Sequence, residues 1–394
     1  MPSQFPQSLS LSSLLAPVSI EEFQNTYFDR KPLIVARNDR TYYGDLFTLD
    51  EFDEAASRNP ERVKLFDAAK NEVIDFKGRS VADLEAIVTG LQKGGTLILY
   101  RFEERNAKLG LLCRQLGVAS GHRFIADLYL APTGAEGFRP RWDNRDQFVL
   151  QLAGTRRWRI ETDRRINPGR ADQIDEESRQ LRGEVTEITL AEGDLAYIPR
   201  GYVFASSPSH EESSLHLTLR WDMAFLEELL DASIKAAVQR DQRLSATLPL
   251  GFMQVSGRGL VDRAAAALRA AANEDFLRGV VQQYRDELVG LFPLDISGLI
   301  RDSFAPEPLS LDDFCSPRPG TVFRLHAEDG PVRLLVGTRN IEFNDLFRDG
   351  VKFALDQARF SIRDIPGDIE DEERLALVER LIQEGVVIRH SDHG

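Results

Sequence analysis

Three short stretches of the sequence carry side chains that could bind a metal ion or an anionic ligand. They contain Arg141 and Asp143, then Arg156 directly after a Gly-Thr pair, and finally His216 with Thr218. A carboxylate or a neutral imidazole can ligate a divalent cation, whereas a guanidinium has only donors and suits a carboxylate or a phosphate. The residue types alone are compatible with metal binding and with anion binding. Which of the two is favoured depends on how the secondary-structure elements place these side chains.

The elements around these residues are predicted to be β-strands at short spacing, which is typical of a sandwich or a barrel. On the last strand Ser214, His216, Thr218 and Arg220 share one face, and this face would line a pocket inside a barrel. The pair Gly154-Thr155 fits a hairpin turn. Acidic, turn-rich sequence separates the first two strands. The predicted strands are Pro32–Arg37, Thr96–Tyr100, Phe124–Leu130, Gln147–Leu152, Trp158–Glu161, Glu187–Leu190, Leu195–Ile198 and Ser214–Trp221.

Several blocks of this region resemble the core of the ribosomal oxygenase group of JmjC proteins. The resemblance implies a mixed α and β fold with a JmjC double-stranded β-helix (cupin or jelly-roll) barrel, a helical dimerisation region and a C-terminal winged-helix domain. The corresponding domains would be residues 1–222, 223–305 and 306–394. The blocks that carry the resemblance are Phe28–Leu33, Tyr129–Gly134, Gly137–Leu152, Gly154–Arg159, Gly193–Ala205 and Ser214–Thr218.

In that family a His-x-Asp pair and a distal His hold Fe(II) and leave open positions for 2-oxoglutarate and oxygen. The matching positions here are Arg141 and Asp143, with Phe204 in place of the distal His. Neither a guanidinium nor a phenyl ring offers a lone pair to a metal. The resemblance therefore implies a degenerate triad in which Asp143 alone survives. We expect the Arg141 guanidinium to pair with this carboxylate and to occupy the space of the iron.

The rest of the family's pocket is expected to be retained. Arg156 resembles the basic residue that holds the distal carboxylate of 2-oxoglutarate, and an arginine fork suits that task. Alternatively, Arg156 belongs with Arg157 and Arg159 to a solvated or ion-paired strand. His216 and Thr218 match a His-Leu-Thr element of the family. The resemblance makes Thr218 a candidate for cofactor binding, and it makes His216 either a substitute metal ligand or a structural histidine.

Other side chains that could act have simpler structural explanations. Trp142 and Trp158 could stack on a substrate, but large aromatic residues in a barrel usually serve packing. Asp146, Glu192 and Asp194 could replace lost metal ligands, although the stretch from Glu192 to Asp194 is first of all typical of a turn. Four further histidines are expected at the surface: His210, His326, His390 and His393.

The composition is that of an ordinary globular chain. It has 394 residues, of which 42% are hydrophobic and 28% charged, enough for two or three packed units. A formal net charge of -14 opposes a general affinity for nucleic acid. Cys113 and Cys315 lie far apart, so neither a disulfide framework nor a thiolate zinc site is predicted. Without a long apolar run or a signal peptide, the protein is expected to be cytoplasmic.

The second half of the chain is predicted to begin with helices and to end in a mixed tail. Helices with alanine-rich and leucine-rich faces are expected from Met223, after Asp222 as the N-cap, to Leu291. The order of elements in the tail is typical of a winged helix, but its acidic composition favours protein contact over DNA. The tail elements are strands Thr321–His326 and Val332–Gly337, helical segments from about Asn344, Ser361 and Asp371, and a short strand Val386–Arg389.

These features leave three functional hypotheses. The first is a protein that has lost ordinary Fe(II)-dependent hydroxylase chemistry, binds no cofactor tightly and acts as a dimeric binding or regulatory module. The second is an active Fe(II)/2-oxoglutarate-dependent hydroxylase of a protein or peptide side chain, with Asp143 and His216 among non-standard ligands. The third is a metal-independent enzyme in which Arg141, Asp143 and Arg156 hold an anionic substrate. The expected partner is a second copy of the chain, with a protein or peptide as a further candidate and no membrane or nucleic acid.

Overall fold

A computed structural model describes residues 9–390, except 45, 68–69, 77–79, 173–179, 210, 249, 254–257, 272, 301–307 and 329. The chain divides into two compact units, Met1–Met223 and Ala224–Gly394. The second unit contains both the predicted helical region and the predicted winged-helix domain, so the three-part division stays a prediction. Among the described residues, no helix is long and apolar enough to cross a membrane.

The first unit is built on two antiparallel sheets. The larger sheet has eight strands in the order β1-β10-β7-β12-β5-β4-β2-β3, and the smaller has four in the order β6-β11-β8-β9. Their bounds are β1 Leu33–Val35, β2 Val63–Asp67, β3 Glu72–Asp75, β4 Thr96–Leu99, β5 Arg123–Ala131, β6 Phe138–Arg141, β7 Gln147–Ala153, β8 Arg156–Glu161, β9 Val185–Leu190, β10 Leu195–Ile198, β11 Phe204–Pro208 and β12 Ser214–Asp222.

Helices of the first unit precede the strands that carry the candidate site. They are α1 Leu11–Leu15, α2 Ile20–Glu22, α3 Leu49–Arg58, α4 Val81–Gln92 and α5 Ala107–Ser120, with a π-helical turn at Phe23–Tyr27 and 3₁₀ turns at Pro60–Arg62 and Phe102–Glu104. The stretch between β1 and β4 is thus structured, and describing it only as acidic and turn-rich was wrong. The sequence did carry a signal there, because Thr48 and Glu51 form a capping box at the start of α3.

The two sheets enclose a shared apolar cluster, as expected for a double-stranded β-helix barrel. Val149 on β7 packs in this cluster with Trp158 on β8 and Phe204 on β11. The first five residues of β7 are all buried, so both faces of this strand are covered over most of its length. Its sequence nevertheless alternates partly between polar and apolar residues. The mixed α and β barrel fold predicted from the sequence is confirmed.

Gly154 and Thr155 do not close a hairpin, contrary to the prediction. They join β7 in the larger sheet to β8 in the smaller one, so the chain turns a corner between sheets. Gly154 has φ +61°, and a Cβ atom there would lie 2.0 Å from the carbonyl oxygen of Ser213. A side chain at this corner would collide with the backbone of the residue that precedes β12. Glycine is therefore required at position 154 for β8 to begin at Arg156.

The second unit begins with three helices and ends with two small sheets. Asp222 is the last residue of β12 rather than an N-cap. The helix α6 begins four residues later, and its N-cap is Phe225, whose backbone N–H donates to the carboxylate of Glu228 in the first turn. The helices are α6 Leu226–Arg240, α7 Arg258–Ala271, α8 Glu274–Val289, α9 Arg348–Asp356 and α10 Asp371–Gln383, with 3₁₀ turns at Gln242–Ser245, Asp345–Phe347 and Ile362–Asp364. The strands are β13 Phe314–Pro317, β14 Phe323–His326, β15 Val332–Val336, β16 Arg339–Phe343, β17 Phe360–Ser361 and β18 Val387–His390.

The tail has one apolar core made by its sheets and helices. Val351, Leu355, Leu377 and Leu381 are buried in it. The two sheets have the orders β14-β15-β16 and β17-β13-β18. The helical segment predicted near Ser361 is only a 3₁₀ turn, so the winged helix stays a prediction.

Candidate functional site

Arg141 and Phe204, which were matched from the sequence to two of the family's metal-ligand positions, are partners on adjacent strands of the barrel. Arg141 on β6 is the strand partner of Phe204 on β11, and the register shifts between this pair and the pair Phe138 and Ser206. The shift adds one residue to β6, which turns both Phe138 and Arg141 inward. The Arg141 guanidinium carbon lies 4.4 Å from the centre of the Phe138 ring and 5.5 Å from that of Phe204. The side chain is half-buried, and burial lowers its pKa.

Asp143 does not pair with Arg141, contrary to the prediction. Among the described residues no ion pair joins the two, and the Asp143 carboxylate accepts a hydrogen bond of 3.0 Å from the backbone N–H of Arg145. The reason is that β6 ends at Arg141, so Asp143 lies in the following turn and strand alternation does not apply to it. The backbone carbonyl of Asp143 accepts from the N–H of Gly201 at 2.9 Å, which holds this turn beside the start of β11.

Arg156 is the most deeply buried charged group of the site, with no exposed surface. Its Nε donates to the Ser206 hydroxyl at 3.1 Å, while neither terminal guanidinium nitrogen has an acceptor among the described residues. Burial, and then the charge of Arg141, lowers the pKa of Arg156 to about 9. Arg157 and Arg159, which flank the next inward residue, are exposed. The idea that all three arginines form one solvated strand face is therefore wrong for Arg156.

His216 completes the inner wall beside Arg156. Its ring stacks on Tyr129 with 4.8 Å between centroids and meets Trp158 edge-on at 5.7 Å. Burial, followed by the charges of Arg156 and Arg141, holds the pKa of His216 well below its usual value, so the imidazole is neutral. Its Nδ1 and the indole Nε1 of Trp158 are buried without a hydrogen-bond partner among the described residues.

Thr218 is buried on the same face of β12 as His216, opposite Val149 and Asp127 on the adjacent strands. The hydrogen bond of Arg156 goes to Ser206 rather than to Thr218. The structure thus brings Arg141, Arg156 and His216 together, and it places Thr218 further along the wall.

Sequence reasoning missed Tyr129, Phe138 and Ser206, which surround these groups. It also missed the ion pair of Asp127 and Arg220, 2.6 Å long, at the end of the same wall. Period-two alternation could have placed Tyr129 and Asp127 on one face of β5, but only the strand register shows that Tyr129 lies opposite His216.

The acidic residues considered as replacement ligands have structural partners instead. The Asp146 carboxylate accepts from the Tyr197 hydroxyl and from the backbone N–H of Arg200, the latter at 3.0 Å. Glu192 accepts from the N–H of Gly154 at 2.9 Å. Asp194 accepts from the N–H groups of Arg37 at 2.8 Å and Ala191 at 2.9 Å, at the end of the predicted turn.

The remaining residues singled out from the sequence lie away from this wall or serve packing. Trp142 and Trp158 are both buried. His326 and His390 were expected at the surface but are half-buried, with Asp286 and Ser316 as their respective neighbours. Cys113 and Cys315 are buried free thiols with raised pKa values, as expected for inert cysteines. His210 and His393 lie outside the described residues.

The side chains at this site lack the ligands that Fe(II) requires, whereas their N–H groups suit an anion. Among the described residues, no three His, Cys, Asp or Glu side chains converge where they could hold a metal ion. Arg141 and Phe204 contribute no lone pair, and the neutral His216 ring stands beside two guanidinium groups that would repel a cation. Arg156, with two amino groups of its fork unsatisfied, suits the distal carboxylate of 2-oxoglutarate or a similar acid.

Comparison with known proteins gives a consistent result. Residues 103–229 match the model of the JmjC domain. The chain is 30% identical to Ribosomal oxygenase 1 of Gallus gallus over 304 residues, which are 72% of this chain and 48% of that protein. It is 27% identical over 363 residues to the Bifunctional lysine-specific demethylase and histidyl-hydroxylase NO66 of Dictyostelium discoideum, covering 85% of this chain and 69% of the relative. The chain thus spans about half the length of the first of these relatives.

Solved structures of YcfD from Escherichia coli share the fold. One has a TM-score of 0.60 at 15% identity and covers 95% of this chain and 99% of its own. A second, in complex with cobalt and 2-oxoglutarate, has a TM-score of 0.56 at 14% identity, with coverage of 95% and 99%. That protein binds both a metal and 2-oxoglutarate, so the expectation that the present chain binds no cofactor tightly gains no support from this comparison.

Proposed function

Because the chain belongs to the JmjC family of ribosomal oxygenase-like proteins, we propose that it is a binding or regulatory member that lacks the Fe(II) centre of an ordinary hydroxylase. The barrel keeps the fold and the arginine that suits a carboxylate. At the two positions that the resemblance matches to the family's histidine ligands, it has a cationic side chain and a phenyl ring instead of two imidazoles. The protein would therefore recognise an anionic ligand in the barrel without oxidising a substrate.

One observation carries this proposal: Arg141 and Phe204, the residues that the resemblance matches to two of the family's metal ligands, are direct strand partners. The loss of a partner that merely orients a metal ligand typically lowers metal affinity about 10- to 100-fold. Removing two direct ligands and adding a fixed positive charge must lower it further. The protein would still bind small anions, because guanidinium groups remain in the pocket.

An active hydroxylase is the competing function, favoured by the names of the relatives and by the survival of Asp143. It would need His216 to turn its unsatisfied Nδ1 towards a metal shared with Asp143. A metal-independent enzyme acting on an anionic substrate held by Arg141 and Arg156 is the third reading, and turnover that ignores chelators would identify it.

Anaerobic titration of chelator-treated protein with Fe(II) and 2-oxoglutarate tests the proposal. Elemental analysis of bound iron and the charge-transfer absorption of an iron complex are the two readouts. We expect neither signal. One tightly bound iron per chain would refute the proposal and direct attention to Asp143 and His216.

A double restoration, Arg141→His with Phe204→His, asks whether the lost ligands alone explain the result. We expect this variant to gain iron binding, because the two imidazoles would be direct strand partners and Asp143 follows two residues after the first of them. Arg139→His is the matched control, since Arg139 lies on the same strand but is exposed. Iron binding by the control as well would show that the signal is unrelated to the barrel.

A homodimer and a cytoplasmic location remain part of the proposal. Leu226, Leu230 and Ile234 follow each other at four-residue spacing on α6 and are exposed, which supports an interface there. Sedimentation of the wild-type chain and of Leu230→Glu would test the dimer, and an unchanged mass would refute this interface. The winged-helix tail and a protein or peptide partner are likewise proposals.

A further inference from the structure

The outer face of the smaller sheet carries a group of arginines that is separate from the barrel interior. Side chains alternate along β8, so Arg156 and Trp158 are buried while Arg157 and Arg159 are exposed on the opposite face. Arg139 of β6 is exposed as well. These three exposed arginines lie around one cavity on the side of the sheet that faces away from the barrel interior.

The cavity is a groove with arginine walls and a floor of small residues. The strand β11 lies between β6 and β8, and the hydroxyl of Ser206 points into the barrel. Its neighbours Ala205 and Ser207 therefore point outward, and they are the strand partners of Arg159 and Arg157. Adjacent strands lie about 4.8 Å apart, so the two walls are separated by roughly 10 Å. We call this cavity of about 240 Å³ the arginine groove.

The chain itself does not neutralise the positive charge of the arginine groove. Within the residues that the structure describes, none of the guanidinium groups of Arg139, Arg157 and Arg159 forms an ion pair. One exposed arginine needs no explanation, but three around a single cavity concentrate positive charge on a chain whose formal net charge is -14. The groove is therefore a local site for an anion on a protein whose overall charge repels anions.

The size and the margins of the groove indicate a compact anionic group. A cavity of about 240 Å³ is smaller than the roughly 300 to 1,000 Å³ of sites that enclose a whole small ligand. It has room for one anionic group, while the remainder of the ligand lies outside. Two exposed carboxylates adjoin the groove: Glu136 precedes β6, and Glu187 of β9 is the strand partner of Arg159. They would repel a chain of phosphates that continued beyond the groove, which disfavours nucleic acid.

A phosphoryl group fits these conditions better than a carboxylate does. At neutral pH a phosphorylated side chain carries a charge of about -1.5 to -2 and three acceptor oxygens. The forks of arginine side chains bind such oxygens in pairs, and clusters of arginine recur where proteins recognise phosphorylated segments. A carboxylate has one charge and two oxygens, so it would leave part of the groove unsatisfied.

We infer that the arginine groove binds the phosphoryl group of a phosphorylated protein segment. The phosphoryl group lies over β11 between the arginines of β6 and β8, and the segment that carries it lies along the exposed face of the sheet. This site goes beyond the function proposed for the barrel, and it does not depend on whether the barrel binds iron.

Fluorescence anisotropy with the full chain tests the chemistry of the ligand. Three labelled peptides of glycine and alanine differ at one central residue, which is phosphoserine, glutamate or serine. The phosphoserine peptide should bind at least about 10-fold more tightly than the glutamate peptide, because it presents more charge and more acceptors. An excess of inorganic phosphate should displace it. Equal affinities of these two peptides, or no displacement by phosphate, would overturn the inference.

Substitutions in the groove test the location of the site. Arg157→Gln combined with Arg159→Gln should weaken binding of the phosphoserine peptide roughly 100-fold. Arg40→Gln combined with Arg58→Gln is the matched control, because it removes the same charge from exposed positions outside this sheet. The control should bind like the wild type. A similar loss in both double variants would show that binding follows the overall charge, and this would refute the groove as the site.

A further variant tests the cavity itself instead of its charge. Ser207→Leu keeps all three arginines and fills the floor of the groove, so it should weaken binding of the phosphoserine peptide at least about 10-fold. Unchanged binding would place the peptide elsewhere and refute the inference. Melting temperatures equal to that of the wild type show that lost binding is not lost folding. The exposed substitutions at Arg157 and Arg159 keep the test decisive even if Ser207→Leu does not fold.

Discussion

Two buried charged clusters in the first unit are built in opposite ways. Around Asp146 every charge has a partner: the carboxylate accepts from Tyr197 and from the backbone of Arg200, and the Arg200 side chain binds Asp29 at 3.2 Å and the carbonyl oxygen of Pro168. Within the described ranges, the guanidinium of Arg156 makes one hydrogen bond, to Ser206. Both Asp146 and Arg156 have no exposed surface.

The comparison shows how a buried charge indicates its role. A charge that the chain itself satisfies ties elements together, and the Asp146 cluster joins β7, β10 and the residues before β1. A charge that the chain leaves unsatisfied costs stability unless something else binds to it. Burial alone does not distinguish the two clusters, whereas the partners of the charged groups do.

The largest expected effect is the loss of the satisfied cluster. Asp146→Ala removes the acceptor of the Tyr197 hydroxyl and of the Arg200 backbone, and should lower the free energy of unfolding by about 4 kcal/mol. Denaturation followed by tryptophan fluorescence measures this in the first unit, because Trp142, Trp158 and Trp221 all lie there. A loss below about 1 kcal/mol would contradict the structural role of Asp146.

A second effect is a pH dependence carried by the same carboxyl group. Burial raises the pKa of Asp146 to about 6, above its usual value of 3.8. The folded state therefore holds this proton more tightly, so the stabilisation is complete below pH 4 and is lost as the pH rises through 6. Between these limits the free energy of unfolding of the wild type should fall by about 3 kcal/mol relative to that of Asp146→Asn. Parallel stability curves for the two proteins would show that Asp146 does not titrate in this range.

A substitution in the cluster around Arg156 should change the stability of the protein in the opposite direction. Arg156→Met replaces an unpaired buried cation with an apolar chain of similar length, and should raise the free energy of unfolding of the ligand-free protein by about 1 kcal/mol. The same fluorescence-detected denaturation measures it. Destabilisation by more than this amount would indicate that Arg156 serves the fold, as Asp146 does.

The smallest effect on stability is expected at Arg157, the residue that follows Arg156. Arg157 lies on the same strand as Arg156 with its side chain exposed, so Arg157→Met should change the free energy of unfolding by less than about 0.5 kcal/mol. Chemical denaturation of both variants in one series gives the comparison. A change at Arg157 as large as that at Arg156 would remove the distinction between the two faces of β8.

Sequence patterns predicted the barrel well where alternation was strong. The strands that contain Leu150 and Leu217 form where they were predicted, and the polar face that includes His216 is buried. Arg156 was also found from its place after Gly154. The region between β1 and β4 was misjudged because its acidic exposed face hides the buried positions of α3, such as Phe52.

The site itself depends on long-range geometry that no local pattern contains. The sequence shows Arg141 two residues from Asp143, but only the end of β6 explains why their side chains do not meet. The extra residue in β6 that turns Phe138 inward depends on pairing with β11. Whether the side chain of a buried arginine such as Arg156 has hydrogen-bond partners depends on residues from other strands. The sequence alone does not show which of those residues lie close to it.

The complete burial of Arg156 also has a kinetic meaning. A ligand can reach its fork only after the side chains around Phe138 and Trp158 move apart, so opening must precede binding. The observed association rate should then level off at the opening rate as ligand concentration rises, on a time scale of about microseconds to milliseconds. Release would wait for the same opening, and the barrel would hold its ligand for long intervals instead of following rapid changes in concentration.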